Sequence, residues 1–86
     1  MSRKNYTKVT AQSVKSEFSR IIKRYIGPAG QISYKQAARE LEVEDRTLGS
    51  WVRGEKQVSL SSLLKLSLYL PTKFTQEVIM LRQKFK

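Results

Sequence analysis

The stretch SYKQAARELEVEDRTLGSWVRG, Ser33 to Gly54 of an 86-residue chain, decides the fold. It reads as two short helices joined by a tight turn. Ser33 stands three residues before Gln36, the spacing at which a hydroxyl and an amide side chain satisfy each other's free backbone N–H groups at a helix start. Tyr34, Ala37, Ala38 and Leu41 then fall at i, i+3, i+4 and i+7, so one apolar face must be buried. The second helix begins near Glu44 or Asp45, where a carboxylate suits a helix N-terminus. It stops at Gly54, which tolerates left-handed backbone after a last turn. Leu48, Trp51 and Val52 form its inner face. Arg46, Ser50 and Arg53 lie opposite, with Gly49 on their shoulder.

Val43 is apolar in a turn otherwise made of Glu42 and Glu44, and its simplest use is to plug the angle between the helices. Two helices crossing steeply over so short a connection need small side chains where they touch, and Ala37 and Ala38 supply them.

Taken with the following SLSSLLKLSLYL, the segment AARELEVEDRTLGSWVRG resembles the lambda-repressor-like helix-turn-helix family of bacterial and phage regulators, the xenobiotic-response-element class. That family's motif has alanine in its first helix, an aliphatic residue in the turn and an aliphatic with a tryptophan in the recognition helix. A closing glycine and a leucine-rich helix follow. Ala38, Leu41, Val43, Leu48, Trp51, Gly54, Leu60, Leu63, Leu64 and Leu66 match it, within a resemblance that spans Ile32 to Leu70, about half the chain. There are two departures. Glu42 stands where the family usually has a turn glycine, so it must take an unusual backbone conformation or alter the turn. Gly49 stands where a polar, base-reaching side chain is usual.

The resemblance implies an all-α, compact five-helix domain and a sequence-specific regulator of transcription that binds double-stranded DNA as a dimer, on half-sites about 34 Å apart. Side chains facing away from the core of a helix in the major groove reach base edges. In the helix 45–53 these are Arg46, Ser50 and Arg53, with Thr47, Asp45 and Gly49 beside them. Arg46 is the main candidate, because the N-terminal part of a recognition helix enters deepest. Lys35 and Arg39, at i and i+4 on the outer face of the first motif helix, are placed for phosphates. Free N–H groups near Gln36, Asp45 and Ser59 can face phosphates too, and Lys56 and Gln57 reach the same strand. Trp51, at helical spacing with Leu48, is read as core rather than as a base-stacking group.

Composition sets the outer limits. Seventeen Lys and Arg against seven Asp and Glu give +10, a field that attracts polyanions without choosing among them. The chain has neither cysteine nor histidine, which removes disulfides, thiolate metal sites and the commonest proton shuttle. No cofactor or metal is expected. The longest apolar run is far short of the roughly 20 residues that cross a bilayer, and no signal peptide is seen. A soluble, cytoplasmic, nucleoid-associated protein without membrane partners is the expectation.

Residues 1–9 (MSRKNYTKV) form a basic arm without apolar periodicity, either a groove-following tail or an ordinary disordered terminus. Residues 10–86 make one domain. Thr10 to Ile26 reads as an amphipathic basic helix, with Val14, Phe18, Ile21, Ile22 and Tyr25 inward. Gly27-Pro28-Ala29-Gly30 is a loop, and without a Gly-Lys-Ser/Thr ending it is not a phosphate-binding one. Ser59 caps the leucine-rich helix, which Pro71 halts; it is either the central core helix or part of a second contact. In a last helix from Thr72 or Thr75, surplus apolar surface on Ile79, Met80 and Phe85 marks either a homodimer contact or intramolecular packing.

Five of the seven acids, Glu40, Glu42, Glu44, Asp45 and Glu55, crowd the motif. They either sharpen selectivity by partly neutralising Arg46 and Arg53 or mark a surface that meets a protein. The second option defines a protein-interaction adaptor on a helix-turn-helix scaffold, with RNA polymerase, a recombinase, a toxin or another regulator as partner. An enzyme is not expected, since the serines lack a base partner and the alternating acids face different ways.

Overall fold

A computed structural model describes residues 9–85. Five α-helices follow in order: α1 (Ala11–Ile22), α2 (Tyr34–Leu41), α3 (Asp45–Val52), α4 (Leu60–Tyr69) and α5 (Thr72–Lys84). Among the described residues the extended pairing is a lone parallel bridge between Ile26 and Ile32. The expected all-α, five-helix architecture is therefore present. The expected basic arm, apart from its exposed last residue Val9, lies outside the described residues.

Side-chain hydroxyls start three of the helices. The backbone N–H groups of Ser13, Gln36 and Ser62 donate to Thr10, Ser33 and Ser59 at 3.1, 3.1 and 3.2 Å. Each hydroxyl thus fills one of the donors that a helix start leaves unpaired. The full reciprocal box forms at Thr10 and Ser13, whereas at α2 Gln36 takes part through its backbone. Glu42 ends α2 in the left-handed region, at φ 57° and ψ 46°. The turn keeps the glycine-type geometry with a glutamate in it, and Val43 then donates its N–H to the Ala38 carbonyl at 3.0 Å.

α1 is shorter than its periodicity suggests, ending at Ile22 rather than Ile26. The chain tightens there, with Arg24 and Tyr25 donating to carbonyls three residues back. Gly27 then donates to Ile32, and Ile32 to Tyr25, closing the loop on itself. Gly30 has no room for a side chain, since a Cβ on it would stand 2.3 Å from the Tyr25 carbonyl carbon.

The helices touch in a closed ring, α1 to α3, α3 to α2, α2 to α4, α4 to α5, and α5 back to α1. Inside it lie Phe18, Ile21, Ile22, Ile26, Ala37, Ala38, Leu41, Leu48, Trp51, Val52, Leu66, Leu70 and Phe74. Val43 packs against this cluster from the turn, and Trp51 belongs to it. Phe74 of α5 is fully buried, meeting the rings of Phe18 and Tyr25 edge-on at centroid distances of 6.0 and 5.7 Å. α4 is not a central helix. It buries Leu66 inside this core, with Leu70 just beyond its end, while Leu60, Leu64 and Leu68 are exposed. In a ring of five helices each element has two neighbours and one face on the core, so a helix apolar all round keeps part of its apolar surface outside.

No helix among the described residues is long and apolar enough to cross a membrane.

Candidate nucleic-acid interface

The two eight-residue helices α2 and α3 pack against each other. Ala37 and Ala38 of α2 are buried in the core. α1 clamps the far end of α3: the buried Ser19 hydroxyl donates to the Val52 carbonyl at 2.5 Å. Gly54 makes that approach feasible. It takes φ 75°, and a Cβ on it would stand 3.3 Å from Ser19 Cβ and 3.4 Å from the Lys15 carbonyl oxygen.

Within this frame the expected base-reading residues divide. Asp45 and Arg46 are exposed in the first turn of α3 and Thr47 is half-buried. Arg46 makes no ion pair among the described residues. Ser50 and Gly49 are corrections, because both are buried rather than outward-facing. Ser50 is only 4% exposed, and its hydroxyl is spent on the Thr47 carbonyl at 2.6 Å. The reason lies beyond the helix. The chain after Gly54 folds back so that Glu55 and Lys56 donate their N–H groups to the Ser50 carbonyl at 2.8 and 3.4 Å. Over Gly49 lies Arg53, whose Nη1 would stand 2.9 Å from a Cβ there.

Arg53 is exposed but engaged. Its Nε and Nη2 donate to the two Glu55 carboxylate oxygens at 2.9 and 3.3 Å, a forked pair. That hydrogen bond holds the Glu55 carboxyl below its usual range and raises the guanidinium pKa further. Both partners face water, so the pair adds little to stability. What it does is fix where Arg53 points.

Of the expected phosphate contacts, Lys35, Gln36 and Arg39 are exposed on α2, and Lys56, Gln57 and Ser59 on the segment after α3. Lys35, Arg39 and Lys56 make no ion pair among the described residues. Two of the expected N–H donors are already taken, since Gln36 N–H is bound by Ser33 and the Ser59 hydroxyl holds Ser62 N–H. The start of α3 differs, because Glu44 gives it no side-chain cap and its first-turn N–H groups remain open.

One cation was missed by the sequence reading. Lys15 of α1 lines a small cleft of about 110 Å³ together with Lys56 and Gln57. No local pattern marks it, because the contact between α1 and α3 that brings it there joins residues far apart in sequence.

The surface formed by residues 33–57 is electrically balanced. Lys35, Arg39, Arg46, Arg53 and Lys56 face Glu40, Glu42, Glu44, Asp45 and Glu55. The positive excess lies outside residues 33–57, and an open groove of about 670 Å³ runs between α1 and α5. Ile21, Ile79, Met80 and Leu81 line that groove together with Arg20, Arg24, Lys73 and Lys84. Glu17 pairs with Arg20 at 3.2 Å and Lys84 at 3.6 Å, and Glu77 accepts from Arg24 and from the Tyr25 hydroxyl. Among the described residues, no cluster of three or more carboxylates could hold a metal ion.

Compared with family models, with curated proteins and with solved structures, the chain matches none.

Proposed function

We propose that this chain is a small regulator of transcription of the lambda-repressor-like helix-turn-helix type, binding double-stranded DNA by setting the first turn of α3 into the major groove. One observation carries the reading: Arg46 stands exposed, in no ion pair among the described residues, at the start of a helix that has no side-chain cap and buries its later residues in the core. An arginine so placed can give a guanine two parallel hydrogen bonds, worth about 1–3 kcal/mol of discrimination. Thr47 and Asp45 flank it. Lys35, Arg39 and Lys56, with Lys15 behind, would set the docking angle on phosphates. The contact is narrow, since Gly49, Ser50 and the engaged Arg53 add little base reading. Two half-sites bound by two copies would supply the rest of the specificity.

The experiment is a titration of labelled random and selected duplexes at two salt concentrations. A specific regulator prefers the selected duplex at both; equal affinity for the two removes this reading.

A protein-interaction adaptor is the second reading, favoured by the acids. Glu40, Glu42, Glu44 and Asp45 are all exposed and in no ion pair among the described residues. They present negative charge where a duplex presents phosphate, and a basic face of polymerase, a recombinase, a toxin or another regulator would suit them. An adaptor folds normally and shows no DNA affinity at moderate salt.

A further inference from the structure

DNA binding leaves the outer face of α4 unused. Leu60, Leu64 and Leu68 are 72%, 57% and 88% exposed. Spaced at i, i+4 and i+8, they form one ridge about 12 Å long on the side of the helix opposite the buried Leu66 and Leu70. Ser67 borders the ridge, and its hydroxyl is already spent on the Leu64 carbonyl at 2.7 Å. Ser61 borders it too, with its hydroxyl 3.3 Å from that of Ser59. Burying either one leaves no unpaired donor.

We propose that this ridge is the contact between two copies of the chain, packed with the two α4 helices antiparallel about a two-fold axis through Leu64. Leu60 of each copy then meets Leu68 of the other. The arrangement is self-complementary, as a two-fold contact requires. Charge selects it over the other exposed apolar face. Each copy carries +10, so self-association needs an uncharged surface, and Lys65 is the single charged residue of α4. Pairing through Ile79 and Met80, the face expected from the sequence, would bring Arg20, Arg24, Lys73 and Lys84 of each copy together against only Glu17 and Glu77. Area sets the strength. Three leucines offer a patch of a few hundred Å², below the roughly 800 Å² per partner of a standard stable interface. The dimer therefore forms and dissociates with concentration.

Because the chain has no cysteine, single-cysteine variants report the contact directly. Leu64→Cys, Ile79→Cys and Met80→Cys are oxidised in parallel without DNA, so the outcome is independent of the DNA-binding reading. Sedimentation equilibrium compares the unaltered chain with Leu68→Gln. Disulfide dimer at position 64 and little at 79 or 80 is expected, with the dimer dissociation constant of Leu68→Gln raised about tenfold or more. Far-ultraviolet circular dichroism of that variant should be unchanged, since its leucine is exposed. A chain that stays monomeric into the millimolar range overturns the proposal. So does cross-linking at 79 or 80 in place of 64, or equal cross-linking at all three positions, the mark of random collision.

Discussion

The Ser19 hydroxyl donates to the Val52 carbonyl at 2.5 Å, joining the C-terminal half of α1 to the last residue of α3 across 33 residues of sequence. Both residues are buried, so the bond does two things. It satisfies a carbonyl that the end of α3 leaves without a helical partner, and it holds α3 against α1. Ser19→Ala leaves that carbonyl unpaired in the interior, at a cost of about 1–3 kcal/mol. For a domain of this size Tm should fall by roughly 5–15 °C, as read by circular dichroism melting.

Glu42 holds left-handed backbone that suits glycine, at an energetic cost any non-glycine residue with a Cβ bears there. Its side chain is exposed and in no ion pair among the described residues. Glu42→Gly should raise stability by up to about 1 kcal/mol, measured as a higher midpoint in urea at unchanged slope. A lower midpoint would mean that the glutamate makes a contact of its own.

Arg46 and Lys35 should separate in DNA binding. Arg46→Ala relaxes preference among duplexes, reducing the ratio of best to random sequence by roughly 1–3 kcal/mol. Lys35→Ala weakens all duplexes alike and flattens the dependence of log affinity on log salt by about 1. Fluorescence anisotropy across a salt series distinguishes them.

Arg53 is held by Glu55, and removing the carboxylate frees it. Glu55→Gln should tighten binding to every duplex and steepen the same salt slope by about 1, as one more cation meets phosphate. An unchanged slope would place Arg53 outside the contact.

Tyr25 links the interior to pH. Burial first, then its hydrogen bond to Glu77 and that residue's negative charge, push the phenol up to about 12 from 10.0. A group whose pKa is higher folded than unfolded lends stability below its unfolded value and loses it as pH passes the folded one. Resistance to urea should hold to about pH 10 and fall between pH 10 and 12. Glu77→Gln should move tyrosinate absorbance for one of the four tyrosines back toward the ordinary range.

Much of this fold was legible in the residues. The hydroxyls of Thr10, Ser33 and Ser59 mark helix starts in plain sequence because capping is a local interaction. Trp51 and Leu48 share an inward face because helical spacing is local too. Ser50 was misplaced because a helical wheel gives direction without knowing what lies there. The return of Glu55 and Lys56 over its carbonyl is a property of the following turn, and the fold of Arg53 across Gly49 depends on Glu55. The leucines of α4 mislead for a related reason. Their number shows a helix apolar on all sides, but which of them reach the core depends on how many helices surround it. Lys15 carries no signal, since its neighbourhood is made by α1 crossing α3.

Phe74, wedged edge-on between Phe18 and Tyr25, has a temporal consequence. As the polypeptide leaves the ribosome, α1 is made well before α5, yet the aromatic side chain that packs on its inner face arrives only with α5. Until then the early part of the chain has an incomplete interior, and the ring of helices cannot close. A nascent chain halted before residue 74 should therefore be more open to proteases and chaperones than one that carries α5.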